Sequence, residues 1–199
     1  METKLSFRTM LQEYTPSCIK EYVESHMHRS KVSVVDNKLM LELNLEEKNL
    51  ISKPCLYRWL VPENTAKKIL NNKELLEKSA KTEIDGNIYY ILYFGKSKNG
   101  KTRIESQHLR GNTKRSTLRL TLFSLLYNQD QTAKEWDIEQ YFPNTYFEWF
   151  TFNKEEEDFI VCIESICVAL GAYPLNIEGN PAYKSEWKDT LMSLRHNCR

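Results

Sequence analysis

Ile91-Leu92-Tyr93-Phe94-Gly95-Lys96-Ser97-Lys98-Asn99-Gly100-Lys101-Thr102-Arg103 is the stretch on which the reading of this chain turns. Residues 88–94 are too dense in tyrosine and isoleucine for anything but a buried strand. That strand delivers a tyrosine, a glycine that permits close approach of the backbone, and a basic turn ending in an arginine, a set suited to holding a phosphate. From Lys96 to Arg119 stand eight cations (Lys96, Lys98, Lys101, Arg103, Arg110, Lys114, Arg115 and Arg119) against one acid, Glu105, in a chain of net charge +1. Such a stripe can be the footprint of a polyanion, although charge alone fits a solvated loop and helix face more simply.

Working outward, residues 56–61 follow Pro54 and end at Pro62, and residues 146–152 hold five aromatic side chains in seven, so both read as strands beside 88–94. Helical spacing marks residues 63–79, 103–110 before Gly111, 117–127 behind an N-cap at Ser116, 132–140, and 156–170 before Gly171. In the N-terminal quarter, residues 9–30 read as a helix that Pro16 delays or kinks, and residues 32–35 and 39–43 as a hairpin turning through Asp36-Asn37-Lys38. The result is an α/β fold: a main domain of residues 54–199 with three core strands and helices between and after them, and a helix-plus-hairpin extension over residues 1–53. His26 and His28 have metal-like spacing only on a strand, and the helical reading leaves them at the surface.

A length of 199 residues, 41% hydrophobic and 28% charged, supports one sizeable core with a small appendage. No run of 18 apolar residues occurs, and the stretch from Met1 to Arg8 lacks an apolar leader core, so a cytoplasmic protein with no membrane partner is expected. Five cysteines form an odd set without a Cys-x-x-Cys pair, which predicts free thiols in a reducing compartment.

Leu56-Tyr57 on one strand, Tyr93-Phe94-Gly95 on the next and Arg103 eight residues after that glycine resemble the GIY-YIG nuclease superfamily. The Lys96-Ser97-Lys98-Asn99 continuation is similar to the nuclease domain of the bacterial excision-repair endonuclease. The family also needs a metal-binding glutamate on a late helix and an asparagine about a dozen residues later; Glu164 and Asn176 are twelve apart. The resemblance covers roughly residues 54 to 181 and implies a small three-stranded antiparallel sheet flanked by helices. Departures are visible. Cys55 stands where the first motif begins with glycine, and 36 residues separate Tyr57 from Tyr93, with a helix inserted between them. Many members carry histidine or tyrosine four residues after the arginine; here that residue is Gln107 and His108 follows at five, a step that turns an α-helical side chain by about 100°.

Phosphodiester hydrolysis needs an activated water, a cation against the phosphoryl oxygens and stabilisation of the leaving oxygen. The resemblance assigns these tasks to Tyr57, Tyr93, Arg103, His108 and Glu164, with Tyr57 first in line to act on the water and Glu164 holding one Mg²⁺ or Mn²⁺. Gly95, Lys96, Lys98, Lys101, Arg119 and Asn176 are expected at the substrate, DNA in the first instance with RNA left open. The alternative is a catalytically inactive module of the same fold that binds nucleic acid or a protein. Neither a zinc-finger spacing nor a helix-turn-helix accompanies the motifs.

Overall fold

The computed structural model describes residues 6–183 and 185–198; the first five residues, included above when the N-terminus was read for a leader, lie outside them. Helices α1 (Phe7–Glu13) and α2 (Pro16–Ser25) lead into strands β1 (His28–Val35) and β2 (Lys38–Leu41). Pro16 opens α2 at its first turn, where it lacks no needed donor, instead of kinking one long helix. His28 accordingly begins a strand. Asp36 and Asn37 both take positive φ, 49° and 58°, the conformation of a tight hairpin turn.

After α3 (Leu45–Leu50) come β3 (Cys55–Pro62), α4 (Glu63–Leu70) and α5 (Lys73–Lys78). The single helix expected over 63–79 is broken at Asn71, which is left-handed at φ 45°, and restarted by Asn72, whose side chain caps Leu75 N–H. A hairpin of β4 (Lys81–Ile84) and β5 (Asn87–Ser97) turns at Asp85 and Gly86, φ 50° and 75°. A π-helix over Thr102–Leu109, α6 (Thr117–Gln129), a 3₁₀ segment Glu135–Tyr141, β6 (Tyr146–Thr151), a 3₁₀ turn Lys154–Phe159, α7 (Ile160–Leu170) and α8 (Ser185–Asn197) complete the order.

The sheet has six strands, not three, in the order β2-β1-β6-β3-β5-β4, and every pairing is antiparallel. Two features hid the additional strands. β1 starts four residues earlier than its apolar alternation does, through Arg29, Ser30 and Lys31, and pairs with β6. β4 is polar, burying only Ile84.

β3 lies at the centre, buried from Cys55 to Val61, and its side chains alternate between two cores. Cys55, Tyr57, Trp59 and Val61 pack with the π-helix and α6 on one face; Leu56 and Leu60 pack with α1, α2 and α7 on the other. On that second face Arg58 is the polar exception. Its Nε donates to Glu148 Oε2 at 2.5 Å and its Nη1 to Glu24 Oε1 at 2.8 Å, while Arg29 Nη2 meets Glu148 Oε1 at 2.6 Å. This buried network ties α2 and β1 to the central sheet.

Candidate active site

β4 ends its pairing where Lys81 faces Tyr90, so the later half of β5 has an open edge. The chain after α7 closes that edge. Leu175 N–H donates to Leu92 O at 3.0 Å. Phe94 N–H donates to Asn176 Oδ1 at 2.8 Å and Asn176 Nδ2 donates to Phe94 O at 2.7 Å. One side-chain amide thereby takes the place of a neighbouring strand. Asn176, expected at the substrate, has its amide engaged on the backbone between Tyr93 and Gly95.

Beside this edge lies a groove of about 1060 Å³, whose walls include Tyr93, Lys96, Glu164 and, from α8, Lys188, Arg195 and His196. The α8 wall was missed in the sequence. Its signal was present as Trp187, Leu191 and Leu194 at helical spacing, with Trp187 Nε1 donating to Pro174 O at 2.8 Å and Leu191 fully buried.

Tyr57 on β3 stands opposite Gly95 on β5. A Cβ at position 95 would lie 2.8 Å from Tyr57 Oη and 2.9 Å from its Cζ, so the glycine makes room for a phenol, where the sequence suggested room for a phosphate. A similar exchange explains Cys55. Its buried thiol faces Gly100, where a Cβ would come within 2.5 Å of Sγ, and burial pushes that thiol up to about 12, leaving it inert.

The position of His108 follows from helix type. In the π-helix the Arg110 N–H bonds Glu105 O, five residues back, so the residue five after Arg103 returns to the same face. The 100° displacement expected for an α-helix does not arise. His108 is buried, with Nε2 2.8 Å from Tyr57 Oη and Nδ1 2.6 Å from Ser116 Oγ. Burial, then the charges of Arg103 and Arg119, bring the imidazole down to about 3, so it is neutral.

Arg119, also expected at the substrate, is turned inward at 2% exposure. Its Nη1 donates to His108 O and Leu109 O at 3.1 and 3.0 Å, the carbonyls that end the π-helix, and its Nη2 reaches Glu139 at 3.3 Å. Lys98 projects into solvent and pairs with Glu157 at 3.0 Å, and Lys101 is exposed.

The two phenols differ in situation. Tyr57 is 1% exposed, and its ionisation is pushed well above the ordinary range by burial first and by Tyr93 second. Tyr93 lines the groove; burial raises it, while the neighbouring Tyr57 hydroxyl and the charge of Arg103 oppose that rise. Both phenols are therefore held above the ordinary range, Tyr57 the further, and Tyr93 is the one a solute in the groove can reach. Arg103 is half-buried and has no carboxylate partner among the described residues. Its Nη1 makes one long bond to Arg115 O at 3.5 Å and its buried Nε has no acceptor. A guanidinium left short of acceptors in this way is suited to an anion.

Glu164 projects from α7 with 17% of its side chain exposed, and its Oε2 is held by Lys96 Nζ. Among the described residues no cluster of three or more His, Cys, Asp or Glu side chains could hold a metal. Glu164 alone still fits a hydrated divalent ion, because Mg²⁺ keeps most of its waters and binds through one or two carboxylates, and the groove has room for them. The site at present receives a cation from Lys96.

No described helix is long and apolar enough to cross a membrane, and all five cysteines are free. Searches against curated proteins and against solved structures found no match. The family of the GIY-YIG catalytic domain matches residues 55–197, from the start of β3 through α8. Members are nuclease-type hydrolases that act on nucleic acids and generally use a divalent metal. This chain belongs to the GIY-YIG nuclease superfamily.

Proposed function

We propose that the protein is a DNA endonuclease that hydrolyses phosphodiester bonds in the groove at the β5 edge, with Mg²⁺ or Mn²⁺ at Glu164. The observation that carries this reading is one guanidinium short of acceptors, Arg103, whose charge acts on the groove phenol Tyr93, together with a carboxylate, Glu164, on the same groove. Arg103 clamps the scissile phosphate through its free donors. Tyr93 orients the attacking water and takes its proton as phenolate, supported by the Tyr57 hydroxyl and by the positive field of Arg103. The ion supplies charge to offset the phosphoryl and leaving oxygens. An ion at Glu164 would take the place of the Lys96 ammonium and leave it for the phosphate. Tyr57 and His108 support Tyr93 from behind. A reducing, cytoplasmic setting accords with five free thiols.

The competing reading, a module that keeps the fold and binds without cutting, draws on Lys96 seated on Glu164. Nicking of supercoiled plasmid with Mg²⁺ or Mn²⁺, run beside Arg103→Ala and Glu164→Ala, decides between them. Wild-type nicking that both variants lose by at least a hundredfold supports the enzyme. A wild-type protein that retards DNA in a gel and never nicks it supports the module.

A further inference from the structure

Behind the groove runs a line of buried polar groups. Arg119 N–H, in the first turn of α6, donates to Ser116 Oγ at 3.1 Å. Ser116 Oγ lies 2.6 Å from His108 Nδ1, His108 Nε2 lies 2.8 Å from Tyr57 Oη, and the Tyr57 ring lies beside that of Tyr93 on the groove wall, centroids 6.1 Å apart. The direction of these bonds can be worked out from proton counting. Ser116 is 1% exposed and has one proton to donate. If His108 Nδ1 carried hydrogen, Ser116 Oγ would accept twice and its own proton would have no acceptor among the described residues. With Ser116 donating to Nδ1, every group is satisfied. The neutral imidazole then carries its proton on Nε2 and donates to Tyr57 Oη, which leaves the Tyr57 proton for Tyr93.

We infer that Ser116 is a positioning residue: it fixes His108 as the Nε2–H tautomer and so aligns a one-way chain of donors, from the N-terminus of α6 through His108 and Tyr57, onto the oxygen of Tyr93. Each bond in the chain points its hydrogen toward the groove. A negative charge on Tyr93 strengthens all of them together. The α6 N-terminus, thirteen residues of aligned peptide dipoles behind it, adds positive potential at the chain's origin. Ser116 also caps α6, and the two duties separate chemically. Capping needs an oxygen that accepts from Arg119 N–H, whereas setting the tautomer needs a hydroxyl that donates.

The test is Ser116→Asp, which keeps a strong cap but offers only acceptors, beside Ser116→Ala and Ser116→Thr. Nitrogen-15 NMR of the full-length protein labelled at histidine, with the His108 signals identified by their loss in His108→Gln, reads which ring nitrogen carries hydrogen. In the wild type at pH 7, Nδ1 gives the unprotonated signal and Nε2 the protonated one; in Ser116→Asp the two exchange, and Ser116→Thr restores the pattern that Ser116→Ala loses. On the reading of Tyr93 as the group that acts on water, Ser116→Asp lowers kcat for plasmid nicking by about tenfold with KM within a factor of about two. A protonated Nδ1 in the wild type, or a Ser116→Asp protein whose tautomer is unchanged, overturns the inference. So does an exchanged tautomer with undiminished kcat. A wild type that never nicks defeats the proposed function, and the NMR result alone then upholds or overturns the assignment of Ser116.

Discussion

Replacing Asn176 with alanine removes two of the three hydrogen bonds that close the open edge of β5, leaving the one from Leu175 N–H to Leu92 O. The two lost bonds are 2.8 and 2.7 Å long, to the N–H and C=O of Phe94, on a strand whose neighbour β4 ends at Lys81. Asn176 is half-buried, so water can reach the exposed backbone groups in part, and the net value of about 1 kcal/mol per bond applies in place of the larger penalty for a fully buried orphan. Two such bonds give about 2 kcal/mol. For a chain of 199 residues that is a fall in Tm of about 4–8 °C. Asn176→Asp is at least as damaging at neutral pH, because one oxygen still accepts from Phe94 N–H while the other faces Phe94 O. Urea unfolding followed by tryptophan fluorescence measures the loss, and amide exchange at Phe94 locates it. An Asn176→Ala protein within about 0.3 kcal/mol of wild type, with Phe94 still protected, would refute the view that this side chain stands in for a strand.

Glu148→Ala leaves the buried Arg58 with Glu24 as its one carboxylate and is expected to destabilise the fold by about 3 kcal/mol in urea unfolding, the low end for a broken buried pair, with Arg58→Met recovering part of the loss in the double variant. His108, brought down to about 3 in the fold, makes stability depend on acid: below pH about 6.5 the unfolded chain takes up a proton that the folded chain refuses. Stability therefore falls as pH drops from about 6.5 toward 3, and His108→Gln should flatten that fall by up to about 1.4 kcal/mol per pH unit in unfolding titrations. Lys101, Arg103, Lys114 and Arg115 form no ion pair among the described residues, so log Kobs for duplex DNA should fall against log salt with a slope of about −3 to −4; a flat line would remove the basic stripe as a binding surface.

The residues that could be read from the sequence were those whose chemistry is local. The strands around Tyr57, Tyr93 and Trp149 were legible from dense aromatic and branched side chains, and the cap at Ser116 from the apolar run behind it. The first half of β1 was obscured because it pairs with distant β6 through the polar Arg29, Ser30 and Lys31, and β4 because Lys81, Thr82 and Glu83 carry no apolar alternation. His108 looked displaced because a count of residues assumes the α-helical period, and nothing in the local sequence announces a π-helix. Arg119 and Asn176 were recognised as residues with work to do, but the sequence could not say that they are engaged chiefly on backbone groups, the carbonyls of His108 and Leu109 and the amide and carbonyl of Phe94. That Tyr93 faces the groove with Tyr57 behind it depends on the closure of the sheet edge by residues 175–176.

A crystal soaked in Mn²⁺ and measured for anomalous scattering tests whether the groove shared by Glu164 and Tyr93 takes a divalent cation. One ion is expected about 2 Å from a carboxylate oxygen of Glu164, with water as most of its other ligands, Lys96 turned away and Tyr93 in the same groove. Lys96 still seated on Glu164 at saturating Mn²⁺, with no ion in the groove, would contradict it.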